Sequence, residues 1–147
     1  MKIIADTNII FSALLNTNGT IGDLLFNSAN IFDFYSNNYM RYEIEKHREK
    51  LKKISNFSDN ELEESKFKVF SKLNFVNEEL IPQKMWLEAE ALVKDIDADD
   101  LDFVALVKYL KGYLWTGDKE LYNGLKRKKF KPIYATAELI VLREKLT

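Results

Sequence analysis

Residues 95–118, DIDADDLDFVALVKYLKGYLWTGD, carry an acidic stretch, a strongly apolar segment and a second acid in close succession. LDFVALVKYL is apolar around most of a helical circumference, which predicts a largely buried helix, and Gly112 stands where a C-terminal glycine ends one. YLWT at 113–116 follows as a strand, and Gly117-Asp118 turns into a further helix near 119–127. A buried helix feeding a short apolar strand that ends beside an acid is one unit of an α/β sheet.

The same grammar extends to both ends of the chain. KIIAD at 2–6 is an apolar run closed by an acid, which fits a buried parallel strand with Asp6 at its carboxyl end. Thr7 or Asn8 can cap a helix to about residue 15, and Asn18-Gly19 turns into a second helix near 20–28. IFDFY at 31–35 is the next strand. From 38 to 54, Met40, Ile44, His47, Leu51 and Ile54 recur at spacings of four, three, four and three, predicting one amphipathic helix. Ser58 and Glu61 form a capping box for a helix to about 73. NFV at 74–76 is a strand, Pro82 opens a helix to about 94, and PIYA at 132–135 closes the sheet. Strands and helices alternate throughout, so the expected architecture is a three-layer α/β/α fold with a central parallel sheet, formed by residues 1–147 as one domain.

Composition narrows the chemistry. The 147 residues hold no cysteine and one histidine, which excludes disulfides, thiolate zinc sites, a cysteine nucleophile and any multi-histidine metal site. A metal bound here must bind oxygen. No uncharged apolar run approaches the roughly 20 residues that cross a bilayer. MKIIADTN also carries an acid where a signal peptide would stay apolar. A soluble, cytoplasmic protein with no membrane partner is expected. With 22 basic and 23 acidic side chains there is no global field for nucleic acid, and only local clusters remain. KRKKFK at 126–131 is one such cluster and RYEIEKHREKLKK at 41–53 another. Either run is also what a solvated helix face looks like.

The acids are placed less neutrally. Asp6 and Asp118 end two strands at the carboxyl edge, where open α/β sheets build their clefts. Asp97, Asp99 and Asp100 lie at the start of the buried helix, and Glu43 borders the apolar stripe of the 38–54 helix. Each has a bland alternative: Asp6 as a helix cap, Asp99 and Asp100 as favourable charges at a helix N-terminus, Glu43 as a surface partner of His47. Capping alone does not require all of them together, and in a cleft of reduced dielectric their repulsion calls for a divalent cation.

ADTNIIFSALL, MRYEIEKH, DADDLDFVAL and LWTGDKEL, in this order and spacing, resemble the PIN domain, the nuclease domain of VapC-type toxins and of several RNA-processing and flap-type nucleases. The resemblance covers nearly the whole chain. It matches Asp6, Glu43, Asp100 and Asp118 to the four family acids, and Asn8 and Thr116 to the supporting polar residues. Asp100 with Ala105 satisfies the family spacing at the third acid, while Asp99 is able to share or take the role. Asp102, where relatives often carry proline, reads as an outward-facing surface residue, and Val107 replaces a residue that is small in the family.

The resemblance implies a magnesium- or manganese-dependent endoribonuclease that leaves 5′-phosphate and 3′-hydroxyl ends, acting on single-stranded or structured RNA. Asp6, Asp100 and Asp118 would be ligands, Glu43 a ligand or orienter of the attacking water, and Asn8, Thr116 and Asp99 the supporting shell. An antitoxin partner and a homodimer belong to the same expectation. Lys126, Arg127, Lys128 and Lys129, with Lys46 and Arg48, are candidates for phosphate contacts. Tyr39, Tyr42 and Trp86 are candidates for base stacking, whereas Trp115, inside a strand, reads as core. Two other classes compete: a phosphoacceptor receiver domain, which lacks its lone aspartate after the middle strand, and a catalytically silent RNA- or protein-binding module.

Overall fold

Ile3, Ile4 and Ala5 have no accessible surface, and this two-sided burial is why KIIA forms the central strand of a parallel sheet. The computed structural model describes all of residues 1–147. Its elements in chain order are β1 (Lys2–Ala5), α1 (Thr7–Leu15), α2 (Thr20–Asn27), β2 (Asp33–Asn37), α3 (Tyr39–Lys46), α4 (Arg48–Ser55), α5 (Asp59–Phe70), β3 (Leu73–Val76), α6 (Gln83–Val93), α7 (Leu101–Leu110), β4 (Tyr113–Trp115), α8 (Lys119–Arg127), β5 (Ile133–Tyr134) and α9 (Thr136–Leu146). Short 3₁₀ turns occupy Glu78–Leu80 and Ala98–Asp100.

The five strands lie in the order β3-β2-β1-β4-β5 and every pairing is parallel. With the nine helices this gives the expected three-layer α/β/α fold. The chain leaves β1 toward β2 on one side and returns to β4 on the other, so the carboxyl ends of β1 and β4 flank the point where strand order reverses. Clefts open at such points. The core is one cluster of 32 buried apolar residues, in which α7 contributes five consecutive positions, Phe103 to Val107.

Four local expectations are corrected. β2 starts two residues later than IFDFY suggests, because Phe34 and Ser36, not Ile31 and Asp33, face the core. The 38–54 helix is two helices, bent at His47 (φ −101°, ψ 17°). There the imidazole lies 3.4 Å from Glu43 and edge-on to Phe11, while Arg48 and Lys52 form ion pairs with Asp59 at the start of α5. Ile54 is consequently exposed instead of closing the apolar stripe. The left-handed residue ending α7 is Lys111 (φ 54°), not Gly112. Gly112 is needed for closeness: an added Cβ would come within 2.6 Å of Ile4 Cδ1 and 2.8 Å of the Lys2 carbonyl oxygen. Finally, α9 follows the last strand, its start fixed by Glu138, whose carboxylate accepts from the Ala135 N–H.

Candidate functional site

Asp6 is the first residue past β1 and is only 2 % exposed. Its Oδ1 accepts from the Ile9 N–H at 3.0 Å, so it caps α1, and its Oδ2 accepts from the Thr116 hydroxyl. Thr116, equally buried past the end of β4, also accepts from the Asp118 N–H at 3.1 Å through the same oxygen. One hydroxyl therefore ties together the two acids that end neighbouring strands. Asp118 caps α8, its Oδ1 accepting from Glu120 and Leu121 N–H groups. The bland capping role of both acids is real, and capping uses one oxygen of each and leaves the carboxylate's charge in place.

Asp100 lies at the start of α7, half-buried. Burial first, and then the negative charges of Asp6, Asp97, Asp118 and Asp99, push its pKa up to about 7. Asp6 is raised for the same leading reason, burial, partly offset by its hydrogen bonds to Thr116 and Ile9. One carboxylate oxygen from each of Asp97, Asp100 and Asp118 lies within 4.8 Å of the other two. Three such oxygens are hard, anionic and mutually repulsive, which fits Mg²⁺ or Mn²⁺ and does not fit a soft metal. Asp6 stands next to this trio and outside it.

The trio opens on a cavity of about 610 Å³ lined by Glu43, Asp97, Asp99, Asp100, Asp102 and Asp118, against a single cation, Lys46. Thr7, Asn8, Asn37 and Tyr39 complete its polar wall. Asp99 is exposed, and its N–H donates to Asp97 Oδ1 at 3.0 Å, so it shapes the loop that carries the trio. Glu43 accepts a hydrogen bond from the Tyr39 hydroxyl, which raises the Tyr39 pKa.

Sequence reasoning misread one residue and gave another no role of its own. Asp102, read as outward-facing, lines the cavity, and burial together with Glu78 raises its pKa. Asp102 is the second residue of α7, whose first turn borders the cleft, not solvent. Asp97, read only as part of the acid cluster, belongs to the convergent trio because the 3₁₀ turn at Ala98–Asp100 folds it back over Asp100. Asn37 was missed outright. It became visible only once β2 was placed to its true end, and its Oδ1 caps the start of α3 by accepting from Met40 N–H at 2.9 Å.

The basic run is not brought to the acids. α8 carries Lys126 to Lys129 away from Asp118, toward the opposite edge of the sheet. Lys128 is held by Asp95 and the Leu92 carbonyl, and Lys126 lies over the Tyr122 ring. Arg48 is likewise engaged by Glu63, Asp59 and Glu45. Lys46 alone of these candidates reaches the cavity. Tyr39 and Tyr42 are exposed and packed against each other, centroids 5.3 Å apart, while Trp115 has no exposed surface, as its strand position implied, and Trp86 packs on the core.

Comparison with known proteins bears on the family and the fold. No curated protein sequence matches the chain. Among solved structures, a chain of the VapBC2 complex from Rickettsia felis, solved with a DNA fragment from their promoter, superposes with a TM-score of 0.62. The identity is 17 %, and the match covers 92 % of this chain and 97 % of that one. A family model described as PIN domain matches residues 4–138, from the strand that delivers Asp6 to the first turn of α9. The chain belongs to the PIN domain family.

Proposed function

We propose that the protein is a metal-dependent endoribonuclease, the toxin of a toxin–antitoxin pair. The observation that carries this reading is the convergence of Asp97, Asp100 and Asp118 at the switch point of the sheet, beside buried Asp6. Membership of the PIN family and the likeness to a VapBC chain support it, and a VapB-like antitoxin is the partner they suggest.

Asp97, Asp100 and Asp118 would hold the ion, with buried Asp6 beside them linked through Thr116 to the Asp118 backbone. A bound Mg²⁺ or Mn²⁺ supplies a polarised phosphate and a water of lowered pKa. Glu43, itself oriented by Tyr39 and His47, sits across the cavity as the group that aligns the attacking water and takes its proton. Lys46 offsets part of the cleft's negative charge and pairs with a substrate phosphate. Asn8 offers its amide at the cavity wall for a phosphate oxygen. Asp99 contributes by holding the Asp97 loop. The reading also implies a cytoplasmic protein working as a homodimer.

The test is cleavage of a single-stranded RNA in manganese by wild type, Asp100→Asn and Asp118→Asn. Removing a ligand worth several kcal/mol of transition-state stabilisation is expected to cost on the order of 10² to 10³ in rate. Equal rates in all three would overturn the assignment. Binding of RNA without cleavage by wild type would favour the silent binding module.

A further inference from the structure

The acidic cleft is not the largest concavity of the molecule. At the amino edge of the sheet, where β4 and β5 begin, a shallower cavity of about 740 Å³ is lined by Lys108, Lys111, Lys129 and Lys131, with no acid in its wall. Its floor is aromatic: Tyr113 and Tyr134 stack with centroids 5.3 Å apart at 30°, and Phe130 lies beside them under the Lys108 ammonium.

Two of the four lysines stand where the backbone disfavours them. Lys111 and Lys129 have φ of 54° and 64°, and they account for two of the three left-handed non-glycine residues in the chain. Each ends a helix in the same way: the next residue's N–H returns five residues back, Gly112 to Val107 and Phe130 to Leu125. Glycine is the usual occupant of that position and asparagine the next. A lysine there costs conformational energy and places an ammonium at the cavity rim both times.

The local balance of charge remains positive. Four lysines are opposed by Glu88, 3.5 Å from Lys108, and by two helix C-termini worth about half a negative charge each, leaving about +2. A cleft with free ammonium groups around stacked aromatic rings matches the chemistry of a flexible phosphodiester strand, whose phosphates take the lysines while an unpaired base lies on the ring surface. A duplex has no free base for the floor, and an acidic peptide has no use for the aromatic faces.

We infer that the Lys111–Lys129–Lys131 cleft is a second binding site, for single-stranded nucleic acid, on the sheet edge opposite the acids. It holds a part of the strand distant from the scissile bond, roughly 20 Å away along β4 and its flanks. This deepens the nuclease reading, on which the choice of ligand rests.

The experiment separates the two. A fluorescein-labelled 15-nucleotide oligo(U) RNA is titrated with protein in excess chelator, where the acidic cleft repels phosphate. Comparison is made between wild type, the Lys111→Asn, Lys129→Asn, Lys131→Gln triple variant and a Lys72, Lys84, Lys94→Gln variant of equal net charge. Asparagine keeps the left-handed backbone accessible, and Lys131→Glu alone serves as a second probe that leaves both helix ends untouched. The cleft variants are expected to bind at least tenfold more weakly at low salt. The triple variant's salt slope should fall by about 2, the value for three single-strand phosphate contacts, with the surface control unchanged. Wild-type binding by the cleft variants, equal weakening by the surface control, equal affinity for an RNA duplex, or equally potent displacement by poly-L-glutamate would each overturn the inference. Metal-free binding with no cleavage in manganese would sink the nuclease reading and leave this one standing.

Discussion

The two clefts lie at opposite edges of the same sheet and carry opposite charge: six carboxylates and one lysine at the carboxyl edge, four lysines and no acid at the amino edge. Part of that difference is topological. In a parallel α/β fold the helices run back against the strands, so helix N-termini gather at the carboxyl edge and C-termini at the other. Acids are favoured at the first and lysines at the second. The magnitudes show that this is insufficient. The four helices beginning at the acidic cleft, α1, α3, α7 and α8, supply about +2, whereas the lining carries a formal −5. The excess of charge, not its sign, marks the carboxyl edge as a cation site.

The largest difference is expected between Asp97→Asn and Asp99→Asn. Both remove one charge from the same loop, but only Asp97 belongs to the convergent trio. Cleavage in manganese should fall on the order of 10²-fold or more for Asp97→Asn, and by no more than about threefold for Asp99→Asn. Equal losses would mean that total charge, rather than convergence, governs the site. A smaller effect is expected at Thr116, whose hydroxyl joins Asp6 to Asp118. Thr116→Val keeps the shape and removes both hydrogen bonds, and apparent manganese affinity should weaken about 10- to 100-fold, read from the metal dependence of the rate.

The acidic edge should also make folding pH-dependent in the absence of metal. Asp100 titrates near 7 in the folded protein against 3.8 in an unfolded chain, so between those values the native state binds the extra proton. Stability therefore falls as pH rises from about 4 to 7 and levels off above. With the discount due to partial exposure, the effect is about 1–2 kcal/mol. Urea midpoints in chelator at pH 5 and pH 8 measure it. Asp100→Asn should flatten the difference, and manganese should raise the wild-type midpoint more at pH 8 than at pH 5. A wild-type midpoint that responds to pH as the variant does would refute the coupling.

At the basic edge the corresponding change has the opposite character. Lys111→Gly relieves a left-handed side chain, so its stability should stay level or rise by up to about 1 kcal/mol, while RNA binding in chelator weakens. If relief of strain came with unchanged binding, the left-handed lysine would be a helix end and nothing more.

How much of this was visible beforehand follows from the range of the interactions involved. The sheet was legible because a two-sided buried strand leaves a continuous apolar run, as in KIIA and YLWT, and an acid directly after such a run lands at the carboxyl edge. Asp6 and Asp118 were placed by that argument, and Asp100 by its position at the start of the buried helix together with the family resemblance. Asp97 was not, because its orientation depends on a 3₁₀ turn that no periodicity signals, and Asp102 was not, because packing of α7 against the rest of the fold decides which side of its first turn borders the cleft. The bend at His47 was hidden for a similar reason: the apolar spacing continues through it, and ion pairs to α5 from a distant part of the chain set the angle. The C-terminal helix escaped because its apolar residues spread around the axis, with Leu139 buried but Val141 and Leu146 exposed.

By itself, the order of residues determined the layer architecture, the oxygen-only ligand chemistry and the edge at which the acids gather, since hydrophobic period and residue type act locally. Tertiary structure alone decided which carboxylates meet, that Thr116 bridges two strands, and that KRKK ends far from the acids. Those are distances between segments up to 110 residues apart in sequence. Such distances are set by packing of the whole core, which no local pattern encodes.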